Sequence, residues 1–174
     1  MAKLAPLDLK AWIDEHRHLL APPVGNAMVW KDSDFQVMVI GGPNQRNDYH
    51  VDPSEELFYQ LEGDIVLRVI EDGRRRDLAI RQGEMLLLPP LVPHCPVRGP
   101  GTIGLVIERQ RKPGETEALR WYCDRCGEVL YEATLRVTDL GVQLKPVIES
   151  FYADQSLRTC KKCGAVLQPP ARAR

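Results

Sequence analysis

The chain has 174 residues, 44% of them hydrophobic, and a formal net charge of −1. That length fits one domain, or one domain with a small appendage, and suffices to bury a core. A near-neutral charge gives no electrostatic basis for a nucleic-acid partner. No apolar run is long enough to cross a bilayer or to act as a signal peptide, so the expectation is a cytoplasmic protein with no membrane partner.

From the amino terminus, Asp8 to Leu20 carries Leu9, Trp12, Ile13, His16, Leu19 and Leu20 at helical spacing, which predicts an amphipathic helix stopped by Pro22-Pro23. His16 and His18 point to different sides of such a helix and read as structural. The pattern then changes. Phe35 to Ile40 is a β-rich run closed by Gly41-Gly42-Pro43, and Glu56 to Leu61 and Ile65 to Ile70 are separated by Glu62-Gly63-Asp64. Asp72-Gly73 predicts a tight turn before Asp77 to Ile80. Met85 to Leu88 ends at Pro89-Pro90, and Ile103 to Ile107 follows. Short, evenly spaced strands without intervening helices predict a mainly β fold, an antiparallel sandwich or barrel from Phe35 to about Arg109.

Lys112-Pro113-Gly114-Glu115 reads as a linker, dividing the chain into residues 1–111 and 112–174. Beyond it lie Cys123-Asp-Arg-Cys126-Gly127 and Cys160-Lys-Lys-Cys163-Gly164, two C-x2-C-G turns. In each, glycine accommodates the bend and backbone amides can approach the sulfurs. Four thiolates so spaced predict a tetrahedral site for iron or zinc. Two redox or disulfide pairs are the alternative, which a reducing compartment disfavours. The fifth cysteine, Cys95, adjoins His94 and reads as a pocket or packing thiol. The short basic tail, Ala171 to Arg174, follows Pro169-Pro170 and reads as a frayed terminus.

Two of the four histidines stand in motif positions. His50 precedes Glu56, which is followed by six residues and Gly63; Gly83 is followed by five residues, Pro89 and then His94. This resembles the cupin motifs G-x5-H-x-H-x3-4-E-x6-G and G-x5-P-x-G-x2-H-x3-N. Asp52 stands near the place of the second histidine, Leu91 replaces a glycine, and Arg98 replaces the asparagine. Loss of one histidine converts a three-His site into a triad of His50, Glu56 and His94, whose open positions suit ferrous iron, a chelating substrate and O2. The implied fold is a cupin jelly-roll barrel with a small four-cysteine appendage.

Further stretches resemble the 3-hydroxyanthranilate dioxygenases. They are Pro22-Pro-Val-Gly-Asn26, Gly41-Gly-Pro-Asn-Gln-Arg46, Asp48-Tyr-His50, Glu55-Glu56-Leu-Phe-Tyr-Gln60, Leu87-Leu-Pro-Pro90 and Val106-Ile-Glu-Arg-Gln-Arg111. The resemblance implies ring cleavage of 3-hydroxyanthranilate by O2 to 2-amino-3-carboxymuconate semialdehyde, in the kynurenine route to quinolinate and pyridine nucleotides. It implies Fe(II) at the triad, a rubredoxin-like iron (or zinc) at Cys123, Cys126, Cys160 and Cys163, and a homodimer. It assigns Arg98 to the substrate carboxylate, Glu108 to substrate binding and proton transfer, and Glu56 to substrate as well as metal. Arg46, just ahead of His50, is assigned to dioxygen, where a fixed cation stabilises developing negative charge. Pro22 to Asn26 is a candidate lid.

Blander readings stand beside these. A histidine after a proline is commonly a hydrogen-bonded loop residue, and Arg46, Arg98 and Glu108 taken singly read as surface charges near strand ends. A second function class is a small-molecule-binding cupin with a structural metal and a zinc-ribbon interaction module. A third reading is a dioxygenase for another ortho-aminophenol.

Overall fold

The computed structural model describes residues 4–21, 25–30, 33–44, 46–136 and 140–170. Pro22 to Val24 of the candidate lid and the basic tail lie outside them. The amino-terminal helix is α1 (Leu9–His16), continued by a 3-10 turn over Arg17–Leu19. Asp8 caps it, its carboxylate accepting from the Ala11 amide at 3.0 Å, which satisfies one of the donors a helix start leaves free. Ile13 and Leu20 pack with Val39, Ile103 and Leu105, so the helix covers part of one sheet's outer face. His16 accepts the structural reading: its Nδ1 lies 2.7 Å from the Trp12 carbonyl and its ring stacks on Trp12.

Eleven strands follow among the described residues: β1 (Asn26–Met28), β2 (Phe35–Gly41), β3 (Tyr49–Val51), β4 (Glu56–Glu62), β5 (Ile65–Glu71), β6 (Arg74–Ile80), β7 (Met85–Leu88), β8 (His94–Arg98), β9 (Ile103–Arg109), β10 (Glu117–Tyr122) and β11 (Val129–Leu135). They form two sheets, β1-β2-β9-β4-β7 and β11-β10-β3-β8-β5-β6. Every pairing is antiparallel. This is the mainly β cupin jelly roll expected from the sequence. Alternation places Phe58, Ile65, Leu67, Val69 and Val106 in one core between the sheets. The Asp72-Gly73 turn has positive φ at both residues, the type I′ geometry that closes β5 on β6 with Glu71 opposite Arg74.

Three strands go beyond the sequence-based expectation in ways that matter for the site. His50 and His94, which fall outside the strands expected from the sequence, lie within β3 and β8. The sheet also crosses the expected 111/112 boundary, because β10 pairs with β3 and places Leu119 opposite His50. On the same face of β10, Trp121 stacks on Phe151 of α2 (Leu140–Ala153), with centroids 4.2 Å apart. The carboxy-terminal segment therefore builds its own core around Leu119, Trp121, Phe151 and Leu167, and shares a strand with the barrel.

Leu91, at the cupin glycine position, has φ +64 and is exposed. Its amide donates to the Asp52 carbonyl at 2.7 Å, which holds the left-handed turn that aims the chain into β8. A β-carbon in that region costs about 1–2 kcal/mol. The Leu91→Gly variant is expected to be more stable by about 1 kcal/mol, read as a higher urea midpoint with an unchanged slope in metal-loaded protein.

Candidate active site and metal centres

The register of β3 on β8 sets His50 directly opposite His94, with ring centroids 5.3 Å apart. Glu56, the first residue of β4, reaches across from the other sheet. Its Oε1 lies 3.1 Å from His94 Nε2 and 3.6 Å from His50 Nδ1. The three offer ligand atoms within 4.8 Å of one another, all from buried or half-buried residues. The far side of each ring has a fixed acceptor: His94 Nδ1 faces the Val92 carbonyl at 3.0 Å, and His50 Nε2 faces Glu117 Oε2 at 2.6 Å. With those nitrogens donating, the inner nitrogens turn lone pairs toward a carboxylate oxygen that has no hydrogen-bond partner of its own. Electron-rich atoms facing one another in a buried site fit a cation between them, and the outer acceptors are the arrangement that orients metal-binding imidazoles. A metal fits this site.

The Glu56 charge is favoured without a metal too, where protonated imidazoles take the place of the ion. Burial opposes ionisation of Glu56, but His94, then His50 and Arg111, outweigh it and hold the carboxyl at about 2. His50 is likewise disfavoured as a cation by burial, yet the Glu117 hydrogen bond and the neighbouring acids raise its pKa. Glu108 sits opposite Glu56 on β9 and is pushed up to about 7, chiefly by burial, against the opposing pull of Arg111.

Arg111 organises the acids. Its Nη1 donates to Glu108 Oε1 at 2.6 Å and its Nη2 to Asp52 Oδ2 at 3.1 Å, while its Nε donates to Glu117 Oε1. Asp52, Glu117 and Arg111 were not singled out from the sequence for these roles. The legible signal was weak: Asp52 at the place of a lost histidine, and an arginine three residues after Glu108.

A cross-section of the barrel shows three inward layers. Glu56, His94 and Glu108 share the first with His50. Two residues along each strand come Phe58, Pro96 and Val106, and two further come Gln60, Arg98 and Gly104. Contacts between the sheets at both ends, Glu56 with His94 and Gln60 with Arg98, fix this stacking. Arg98 is 2% exposed, its Nε has no hydrogen-bond partner, and no ion pair of it occurs among the described residues. Burial lowers its pKa to about 10. A buried cation without an acid beside it carries its full desolvation cost.

Arg46 is placed differently from the others. Its guanidinium is turned to Asp48, with Nε 3.1 Å from Oδ1, and Cys95 Sγ donates to its carbonyl at 3.4 Å. Cys95 faces away from the two-histidine layer, packed with Tyr49 and Tyr122 on the opposite side of the sheet, as befits a packing thiol.

The four other cysteines converge. Cys123 and Cys163 sulfurs are 3.6 Å apart, as are those of Cys126 and Cys160. That spacing is far beyond a disulfide and close to the edge of a tetrahedron with metal–sulfur bonds of about 2.3 Å. The two turns match: Gly127 donates to the Cys123 carbonyl and Gly164 to the Cys160 carbonyl, each at 2.9 Å and each with positive φ. The Cys163 amide, then that of Lys162, draws the Cys160 thiol down to about 7. A metal fits here too.

The 3-hydroxyanthranilic acid dioxygenase family model matches residues 1–152. The chain belongs to this family. A 3-hydroxyanthranilate 3,4-dioxygenase from Jannaschia sp. is 52% identical over 167 residues, covering 95% of this chain and 93% of that protein. One of the same description from Shewanella woodyi is 49% identical over 165 residues, covering 94% and 87%. Among solved structures, a cupin-2 domain containing protein from Shewanella frigidimarina is 17% identical, with a TM-score of 0.45 over 57% of this chain and 92% of that one.

Within this family site, Glu117→Gln keeps the size of the side chain but weakens the acceptor for His50. Metal affinity at the two-histidine site is expected to fall about 10- to 100-fold, with metal at the four cysteines retained, measured by competition with a chromophoric chelator.

Proposed function

We propose that the chain cleaves the ring of 3-hydroxyanthranilate with O2 at the 3,4 bond, beside the hydroxyl, to give 2-amino-3-carboxymuconate semialdehyde, with both oxygen atoms entering the product. The observation that carries this reading is the pairing of a two-histidine, one-carboxylate cluster with a buried, acid-free guanidinium two layers away in the same barrel. The substrate carries the complementary groups on three adjacent ring carbons: an ortho hydroxyl–amine pair to chelate a metal and, beside the amine, a carboxylate for the long Arg98 side chain to reach. His50, Glu56 and His94 would hold ferrous iron. When bound, that ion supplies open positions for the chelating substrate and for O2.

The residues of the chain do the rest. Arg98 receives the substrate carboxylate on its free Nε edge, a charge-assisted contact in a dry site. The layer of Phe58, Pro96 and Val106 supplies apolar surface for the face of the ring. Glu108, ionised in part near neutrality, accepts the hydroxyl proton as the substrate settles, and Glu56 borders the same edge of the ring. Arg46, on the segment entering β3, is the cation proposed to face dioxygen, a role that requires its guanidinium to turn from Asp48 toward the triad. The four cysteines would carry a rubredoxin-like iron or zinc. No helix among the described residues is long and apolar enough to cross a membrane. Reduced thiols and ferrous iron suit a cytoplasmic setting, and the family resemblance supports a homodimer.

The test is anaerobic ferrous loading followed by oxygen uptake with 3-hydroxyanthranilate. Uptake equimolar with semialdehyde absorbance is expected; folded, iron-loaded protein that consumes no oxygen would refute the reading. Glu108 must be ionised to accept a proton, so kcat/KM is expected to rise with pH through about 7. Arg111 lowers the Glu108 pKa, so Arg111→Met is expected to move that acid limb to higher pH, and a move to lower pH would contradict the assignment.

A further inference from the structure

We infer that Gln60, seated over Gly104, is a positioning residue that fixes the Arg98 guanidinium without neutralising it, and so sets selectivity for a carboxylate-bearing substrate. The inference rests on the proposed role of Arg98. Gln60 is 1% exposed. Both of its amide hydrogens are committed, Nε2 donating to the Glu62 carbonyl at 2.9 Å and to the Ile103 carbonyl at 3.0 Å. A flipped amide would turn its oxygen against those two carbonyls, so Oε1 has one direction left, toward Arg98 Nη1 at 3.2 Å.

Gly104 makes the room. A β-carbon there would lie 2.6 Å from Gln60 Oε1 and 3.0 Å from Arg98 Nη1, with the Tyr59 carbonyl 3.2 Å away on the other side. At the edge of β8, Asn44 completes the clamp on the Arg98 backbone: its Oδ1 accepts from the Arg98 backbone amide at 2.7 Å, and its backbone N–H donates to the Arg98 carbonyl at 3.1 Å.

The chemical choice at position 60 is what matters. A carboxylate there would orient the guanidinium equally well, but it would form a buried ion pair and compete with the incoming anion. An amide oxygen supplies direction and leaves the positive charge unspent. The Arg98 Nε, which Gln60 does not touch, is buried without a hydrogen-bond partner.

The experiment compares two ligands that share the chelating hydroxyl and amine, 3-hydroxyanthranilate and 2-aminophenol, the second lacking the carboxylate. Each is titrated into ferrous-loaded full-length protein under nitrogen, and the dissociation constants are read from ligand absorbance. Gln60→Glu is expected to weaken 3-hydroxyanthranilate about 10- to 100-fold and to leave 2-aminophenol within about twofold. Gln60→Met, which removes the orienting oxygen without adding charge, and Gly104→Ala, which displaces it, are expected to move the same ratio in the same direction. These two serve if the glutamate variant does not fold. Equal weakening of both ligands, or an unchanged ratio in all folded variants, would overturn the inference. Arg98→Ala separates the two layers of argument: if it weakens 3-hydroxyanthranilate selectively while the position 60 and 104 variants do not, Arg98 keeps its role and Gln60 loses its own. If Arg98→Ala leaves the ratio unchanged, the reading on which the inference rests fails first.

Discussion

Everything at the open end of this barrel depends on how four buried carboxylates are kept together. Asp52, Glu56, Glu108 and Glu117 are each less than one-tenth exposed, and Arg111 is the cation that binds three of them. Desolvated acids at this density repel strongly, and one guanidinium does not balance four negative charges. Part of the remainder is relieved by Glu108, whose carboxyl is raised to about 7 and so is partly protonated at neutrality. The rest is concentrated where Glu56 faces two imidazoles, the place where a divalent ion is electrostatically favoured. The triad and the raised Glu108 carboxyl are thus two outlets of one charge balance, joined by Arg111.

The barrel separates this acidic cluster from Arg98 by layering. Side chains two residues apart on a strand are separated by about 6.6 Å, so the metal-binding and guanidinium layers are about 13 Å apart along the backbone, with an apolar layer between them. The guanidinium layer owes its form to absences as much as to contacts: no acid at Arg98, no β-carbon at Gly104.

The carboxy-terminal segment is more than an accessory. Its strand β10 delivers Glu117 to His50, while Tyr152 hydrogen-bonds Asn47 and Asn47 donates to the Gln168 carbonyl at 3.3 Å, next to Arg46 and Asp48. Arg75 on the β5–β6 hairpin pairs with Asp124 in the first cysteine turn at 3.1 Å. A metal at the four cysteines would therefore tighten a scaffold that touches β3 from the side opposite β8.

Local chemistry was readable in the chain itself. Helical spacing gave α1, Asp72-Gly73 gave the β5–β6 hairpin, and cysteine spacing gave the two C-x2-C turns, because each is decided by residues close in sequence. The histidine–glutamate triad was readable only through a motif whose spacing encodes barrel geometry. The three-residue β3 and the proline-containing β8 offered too little apolar alternation to register as strands, since their residues are chosen for the site. Glu117 at His50, Arg111 among three acids, Gln60 beneath Arg98 and Arg46 turned to Asp48 were all decided by tertiary structure. Periodicity tells a residue which face it occupies; only the pairing of distant strands tells it which neighbour it meets there.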